Sequence, residues 1–203
     1  MTNRALVVID VQQEYFTGGL PIAHPPTEES LPNITAAMDA AAAADVPVVV
    51  VRHTSPAGAP LFDRGTAAWE LHPEIAKRHR DLLVEKHTPS AFAGTGLADW
   101  LGERGVDTVT VVGYMTQNCD ASTAYEAVGL GIAVELLSDA TGTLPISNGA
   151  GSLTARQLHQ AMLVVMASNF ASVAATGDWI AAVERGEDLP APDIWASTEV
   201  ARA

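Results

Sequence analysis

The sequence predicts an α/β protein: a doubly wound, mostly parallel β-sheet with helices on both faces. Three observations carry this. Short runs rich in β-branched residues are apolar almost throughout, as strands covered on both faces are. Segments of helical character lie between them, and the two kinds alternate through most of the chain. Hydrophobic residues make up 48% of the 203 residues and charged residues only 17%, which suits one domain with a sizeable core.

The elements follow in order. ALVVID (5–10) is the first strand and VPVVVVRH (46–53) the second; the Ala-rich helix SLPNITAAMDAAAAAD (30–45), with Pro near its start, joins them. The segment 54–81 is less regular, with a short helix expected around Trp69–Leu71, and loops of that length often form lids or binding loops. LLVEK (82–86) is a further short strand, followed by the helix GTGLADWLGERG (94–105), whose last Gly suits a C-cap. DTVTVVG (107–113), IAVELLSD (132–139) and FASVAAT (170–176) are the remaining strands, separated by helices over 119–131 and 152–168 and followed by one over 177–186. Right-handed crossovers would join these strands. The Pro-rich tail 187–203 either packs across a neighbouring subunit or frays, so the domain is placed at 1–186 and the rest is an extension.

Composition excludes several functions. The formal net charge is −13 and the eleven Lys and Arg are scattered, whereas nucleic-acid binding needs clustered basic residues. The densest cluster, KRHR at 77–80, reads as a solvated helix end. No apolar run reaches membrane-spanning length, the first residues enter a strand without signal-peptide regions, and one cysteine allows no internal disulfide. A cytoplasmic protein is expected.

In doubly wound sheets ligands bind beyond the carboxyl ends of the strands, so the residues just after each strand are the ones to read for chemistry. Cys119, the only cysteine, follows the strand ending at Gly113 by six residues. With Asn118 as N-cap it would occupy a first helical turn, where the dipole and free N–H groups favour a thiolate. A lone Cys is more often a small packed hydrophobe. Asp10 closes the first strand, either as a turn-forming or capping acid or as a buried group that needs a partner. Lys86 ends another strand, either solvated or catalytic. Together, at the ends of three separate strands, the three would face one crevice. Cys would attack a carbonyl carbon, Asp would move the proton, Lys would hold both, and backbone N–H groups around 115–119 would bind the oxyanion.

These residues carry a resemblance. VVIDVQQEYFTGGLP, EKHTPSAFAGTGLADWL and VVGYMTQNCDASTAYEAVGLG, in that order, with LSDATGTLP (137–145) after the next strand, make the chain similar to the isochorismatase-like cysteine hydrolases over roughly 4–185. The resemblance implies a three-layer α/β/α fold with a six-stranded, mostly parallel sheet, often oligomeric. It implies Asp10, Lys86 and Cys119 as a catalytic triad. A non-proline cis bond between Tyr114 and Met115 and an oxyanion hole from the N–H groups of Met115 and Cys119 follow from it too. The cysteine favours C–N cleavage of a small amide, lactam or ureido compound over the vinyl-ether cleavage of true isochorismatases; a silent member that binds a small molecule is the third reading.

Departures from the family pattern matter. Gln117 stands where many relatives carry His or Asp; it either faces substrate or finishes the turn. The metal site of the nicotinamidase branch uses an Asp and His residues after the second strand, where this chain has His53 without a neighbouring Asp, so no metal and no other cofactor is expected. A G-x-G-x-x-G turn is absent after the first strand, against a dinucleotide oxidoreductase. A small, mostly apolar pocket is expected from Tyr15, Phe16, Trp69, Phe92, Tyr114 and Gln117, with Leu144 beside them. Core packing is the alternative for each aromatic. No obvious pair of arginines converges here to clamp a dicarboxylate, though Arg52 and Arg64 are candidates, so a neutral or cationic substrate is expected, with no nucleic-acid or membrane partner and self-association into a homo-oligomer.

Overall fold

The computed structural model describes residues 2–202. Six strands form one parallel sheet: β1 (Arg4–Ile9), β2 (Val48–His53), β3 (Leu82–Lys86), β4 (Thr108–Tyr114), β5 (Ala133–Gly142) and, numbered below, β8 (Ser172–Ala174). Their spatial order is β3-β2-β1-β4-β5-β8, and every neighbouring pair is parallel. The order reverses between β1 and β4, where such sheets open a crevice beyond the strand ends.

Strand periodicity divides the interior into two cores. Ala5, Val7, Ile9, Val49, Val51, Val109 and Val111 face α3 (Leu97–Gly102), α4 (Ala121–Gly129) and α5 (Ala155–Asn169). Leu6, Val8, Val48, Val50 and Val112 face α1 (Thr27–Ala43) and α6 (Thr176–Arg185), with Ile34, Met38 and Trp179 packed between. The three-layer, doubly wound architecture expected from the sequence is thus present.

The helix boundaries shift from their expected places for local reasons. α1 begins three residues before Ser30, with Pro26 as its N-cap, and carries Pro32 inside. α5 starts on a capping box, Thr154 with Gln157, and α6 ends on Gly186 at φ 64°. The helix expected to start at Cys119 begins earlier: Met115 is the N-cap of a π-turn over Thr116–Asp120 that runs into α4, so Asn118 is no cap. A hairpin of β6 (Ile146–Asn148) and β7 (Gly151–Leu153), turning at Gly149 and Ala150, precedes α5. In the irregular segment lie a 3₁₀ turn at Ala67–Trp69 and α2 (Pro73–Ala76). The tail holds a short exposed helix, α7 (Ile194–Val200), set against α5.

At the amino end of the sheet, Arg4 and Glu135 form a buried bidentate pair with contacts of 2.8 and 3.0 Å. Thr110 Oγ1 (2.7 Å) and Trp179 Nε1 (2.8 Å) also donate to Glu135. This polar knot lies at the other end of the strands from Lys86 and Asp10.

Candidate active site

The site grows from three strand ends. β1 ends at Ile9 and Asp10 follows, fully buried, at φ +50°; its N–H donates to Val51 O (3.0 Å). Gln12 ties the neighbouring strand end down: its side chain accepts from His53 N–H (2.8 Å) and donates to His53 O (3.0 Å) and Trp69 O (2.7 Å). Lys86 is the last residue of β3, opposite His53, and no part of it is exposed. Gly113, near the end of β4, pairs with Ile9, and a register shift between β4 and β5 begins beside it. The Tyr114–Met115 peptide bond is cis, and the π-turn after it carries Cys119, 5% exposed.

Lys86 joins these ends. Its Nζ lies 2.7 Å from Asp10 Oδ2 and 3.3 Å from Cys119 Sγ, and donates to Thr88 O at 3.1 Å. A lysine sealed from water keeps its charge only with such partners. Burial alone would lower its pKa, but Asp10 and Cys119 outweigh that and the net direction is upward. The thiolate expected from the helix dipole is corrected here. Burial first, then the Asp10 charge, pushes the Cys119 thiol up, and Lys86 opposes them only in part. A terminal N–H dipole is a smaller effect than removing a sulfur anion from water. Cys119 thus rests as a thiol beside the Lys86 ammonium.

Asp120, next to Cys119, is wholly buried and neither of its oxygens has a hydrogen-bond partner among the described residues. Burial and then the Asp10 charge raise its pKa well above the ordinary value, which favours the protonated form.

Cys119 opens onto a cavity of about 380 Å³. Tyr15, Leu20, Leu61, Phe62, Pro89 and Met115 form its apolar wall; His53, Ser55 and Asn118 are its polar members. Glu14, buried, holds the two loops of that wall together by accepting from Gly19 N–H (2.5 Å) and Phe62 N–H (3.2 Å). Phe62, at φ +54°, stacks on Tyr15 and on the edge of His53.

Of the side chains expected in the pocket, Tyr15 lines the cavity; Phe16, Trp69, Phe92, Tyr114 and Gln117 are placed elsewhere. Tyr114 is fully buried and its hydroxyl meets Ser30 Oγ at 2.8 Å, while Phe16 packs between it and the His72 ring. Trp69 donates its indole N–H to Thr54 Oγ1 (2.8 Å). Phe92 sits in the core on the α3–α5 side. Gln117 accepts from Thr143 Oγ1 (2.6 Å), so it finishes the turn, and Leu144 packs against the core beyond it. Arg52 lies over the Trp69 ring and, with Arg64, pairs with Glu85, so neither clamps the cavity. Leu20, Leu61 and Phe62 were missed because their place depends on how two irregular loops close.

Among the described residues no group of three or more His, Cys, Asp or Glu side chains is disposed to hold a metal ion. His53, the nearest candidate, turns Nδ1 to the Lys86 ammonium at 3.4 Å, a poor setting for a second cation.

The model of the isochorismatase domain family matches residues 4–178, nearly the whole sheet and its helices. The chain belongs to the isochorismatase family. Among relatives, the secreted isochorismatase effector Isc1 of Verticillium dahliae is 36% identical, over 87% of this chain and 90% of its own. Nicotinamidase 3 of Arabidopsis thaliana is 34% identical, with 82% of each chain covered. The crystal structure of a candidate isochorismatase from Burkholderia xenovorans superposes with a TM-score of 0.98 at 56% identity, covering 100% of this chain and 97% of the other. This isochorismatase-family protein is a hydrolase of the group that includes nicotinamidases. No helix among its described residues is long and apolar enough to cross a membrane.

Proposed function

We propose that the protein hydrolyses a C–N bond of a small amide, lactam or ureido compound through an acyl-enzyme on Cys119. The observation that carries this is the Lys86 ammonium held between Asp10 Oδ2 at 2.7 Å and Cys119 Sγ at 3.3 Å, beside a cavity. Asp10 takes the thiol proton as sulfur attacks the substrate carbonyl carbon. The oxyanion is met by the backbone N–H groups of Met115 and Cys119; that of Met115 has no protein acceptor among the described residues. The C–N bond then breaks and the amine leaves with the proton from Asp10. Water, deprotonated by Asp10, attacks the thioester and releases the acid and the thiol. Lys86 keeps the carboxylate charged and in place through both halves.

The substrate we propose is neutral or cationic, since no arginine or lysine lines the cavity. The likeness to nicotinamidases supports amide cleavage, and nicotinamide heads the panel of small amides, lactams and ureas to be assayed. The likeness to Isc1 favours a second reading, vinyl-ether cleavage with Asp10 as acid and no covalent step. Turnover by Cys119→Ala separates them: loss of turnover, with a thioester on Cys119 seen by intact mass in the parent, supports the first. Full turnover by that variant overturns it.

A cytoplasmic location and self-association belong to the same proposal. The free thiol supports the first. Exposed apolar residues on α5 and α7, Val164, Ile194 and Trp195, support the second, and sedimentation checks it.

A further inference from the structure

We infer that His53 is a substrate-binding residue: a neutral imidazole that presents its Nε2–H to the cavity, for a neutral hydrogen-bond acceptor on the part of the substrate remote from the scissile bond. A second carbonyl or a ring nitrogen is the chemistry it fits. The inference rests on the acyl-enzyme reading above and names a feature of the substrate which that reading leaves open.

The tautomer follows from what Nδ1 faces. It lies 3.4 Å from Lys86 Nζ, and an ammonium only donates. Nδ1 must therefore carry the lone pair, and the proton of a neutral ring goes to Nε2. Burial first, and then the Lys86 charge, lower the pKa of His53, against a smaller opposing effect of Asp10, so the ring is neutral at pH 7.

No described residue takes that proton. Among the described residues Nε2 has no hydrogen-bond partner. The ring cannot swing freely to find one. Gln12 pins the His53 backbone at both N–H and C=O, and the Phe62 ring packs edge-on at 5.1 Å. His53 is half-buried and most of the surrounding wall is apolar, so a bound compound would cut the donor off from water, where an unmet donor is costly. A site of this kind selects strongly, because a compound without the acceptor leaves the donor unpaired. The chain places no Lys or Arg in the lining to neutralise a carboxylate there, so the acceptor is uncharged.

The test uses activated esters, which acylate a competent thiol whatever the natural substrate. The probes are 4-nitrophenyl benzoate and its three pyridine-carboxylate counterparts, with the ring nitrogen at position 2, 3 or 4. Rates of acylation at Cys119 are followed by nitrophenolate release and located by peptide mass, each divided by the ester's rate with free cysteine. The expected result is that at least one pyridine ester exceeds the benzoate by about tenfold, the worth of one buried hydrogen bond. His53→Phe removes that preference. His53→Gln, whose amide N–H reaches the Nε2 position, retains part of it. His53→Asn, which keeps only the contact near Lys86, does not.

Equal corrected rates for all four esters overturn the inference. So does a preference that survives in His53→Phe, or one that His53→Asn retains as well as His53→Gln, which would assign His53 to holding Lys86. If the Phe variant does not fold, the Gln and Asn pair decides. Absence of label at Cys119 in the parent overturns the acyl-enzyme reading itself, and the inference with it; label without selectivity overturns the inference alone.

Discussion

A Cβ placed on Gly113 would lie 2.0 Å from the carbonyl oxygen of Ile9. The two residues are register partners on β4 and β1, and Gly113 has φ +119°, a region L side chains avoid. Asp10 follows one of them and the Tyr114–Met115 bond follows the other. The close approach therefore fixes how near Asp10 stands to the turn that carries Cys119. Gly113→Ala is expected to cost at least about 2 kcal/mol and to change the iodoacetamide labelling rate of Cys119 at 25 °C. Thermal melts and labelling rates check both, and a stable variant with parental labelling would refute the role.

The opposed charges around the thiol make a directional prediction. Burial and Asp10 raise the Cys119 pKa and Lys86 lowers it. Alkylation of the parent should climb through the alkaline range with no plateau near neutrality. Asp10→Asn should move the profile to lower pH, and Lys86→Met should move it higher. A parent plateau below pH 7, or shifts of one sign in both variants, contradicts this assignment.

Asp120 should make the protein less stable as pH rises. Its carboxyl binds a proton more tightly in the folded chain than in the unfolded one, where Asp titrates near 3.9. The stability it contributes is whole below about pH 4 and is lost as pH rises through the folded value. Asp120→Asn keeps the shape and removes the titration. Compared with the parent, its Tm should be higher at pH 8, with the gap narrowing towards pH 4. A gap that does not change with pH would show that the carboxyl is not held protonated.

Arg4→Met separates stability from chemistry. It leaves Glu135 buried without its cation, which costs about 3–5 kcal/mol, measurable by urea denaturation. Because the pair lies at the amino end of the sheet, Cys119 labelling of the folded variant should match the parent.

Much of the fold was legible because the strands are short apolar runs and the helices between them alternate regularly. The positions of Asp10, Lys86 and Cys119 were legible for the same reason: the first two stand where such a run stops, and Cys119 lies in the turn that follows one. The thiol's state was not, since a local argument from a helix end ignores the burial that three strand ends impose. The pocket wall was not legible either. Aromatic residues near the motifs were candidates, but Tyr114 and Trp69 find partners inside the protein, in Ser30 and Thr54. The wall is made by Leu20, Leu61 and Phe62, brought in by Glu14 from loops without periodicity.

The two cores on either side of the sheet meet at this site, and each supplies a different part of it. Cys119 belongs to the layer with Val84 and Phe92, whereas Met115, Tyr15 and Phe62 belong to the opposite one. The thiol is thus anchored in one half of the molecule and most of the cavity wall in the other. Repacking beneath α1 and α6 would alter that wall while the sulfur stays where α3 to α5 hold it, so the shape of the cavity and the place of the thiol are set by separate layers of the fold.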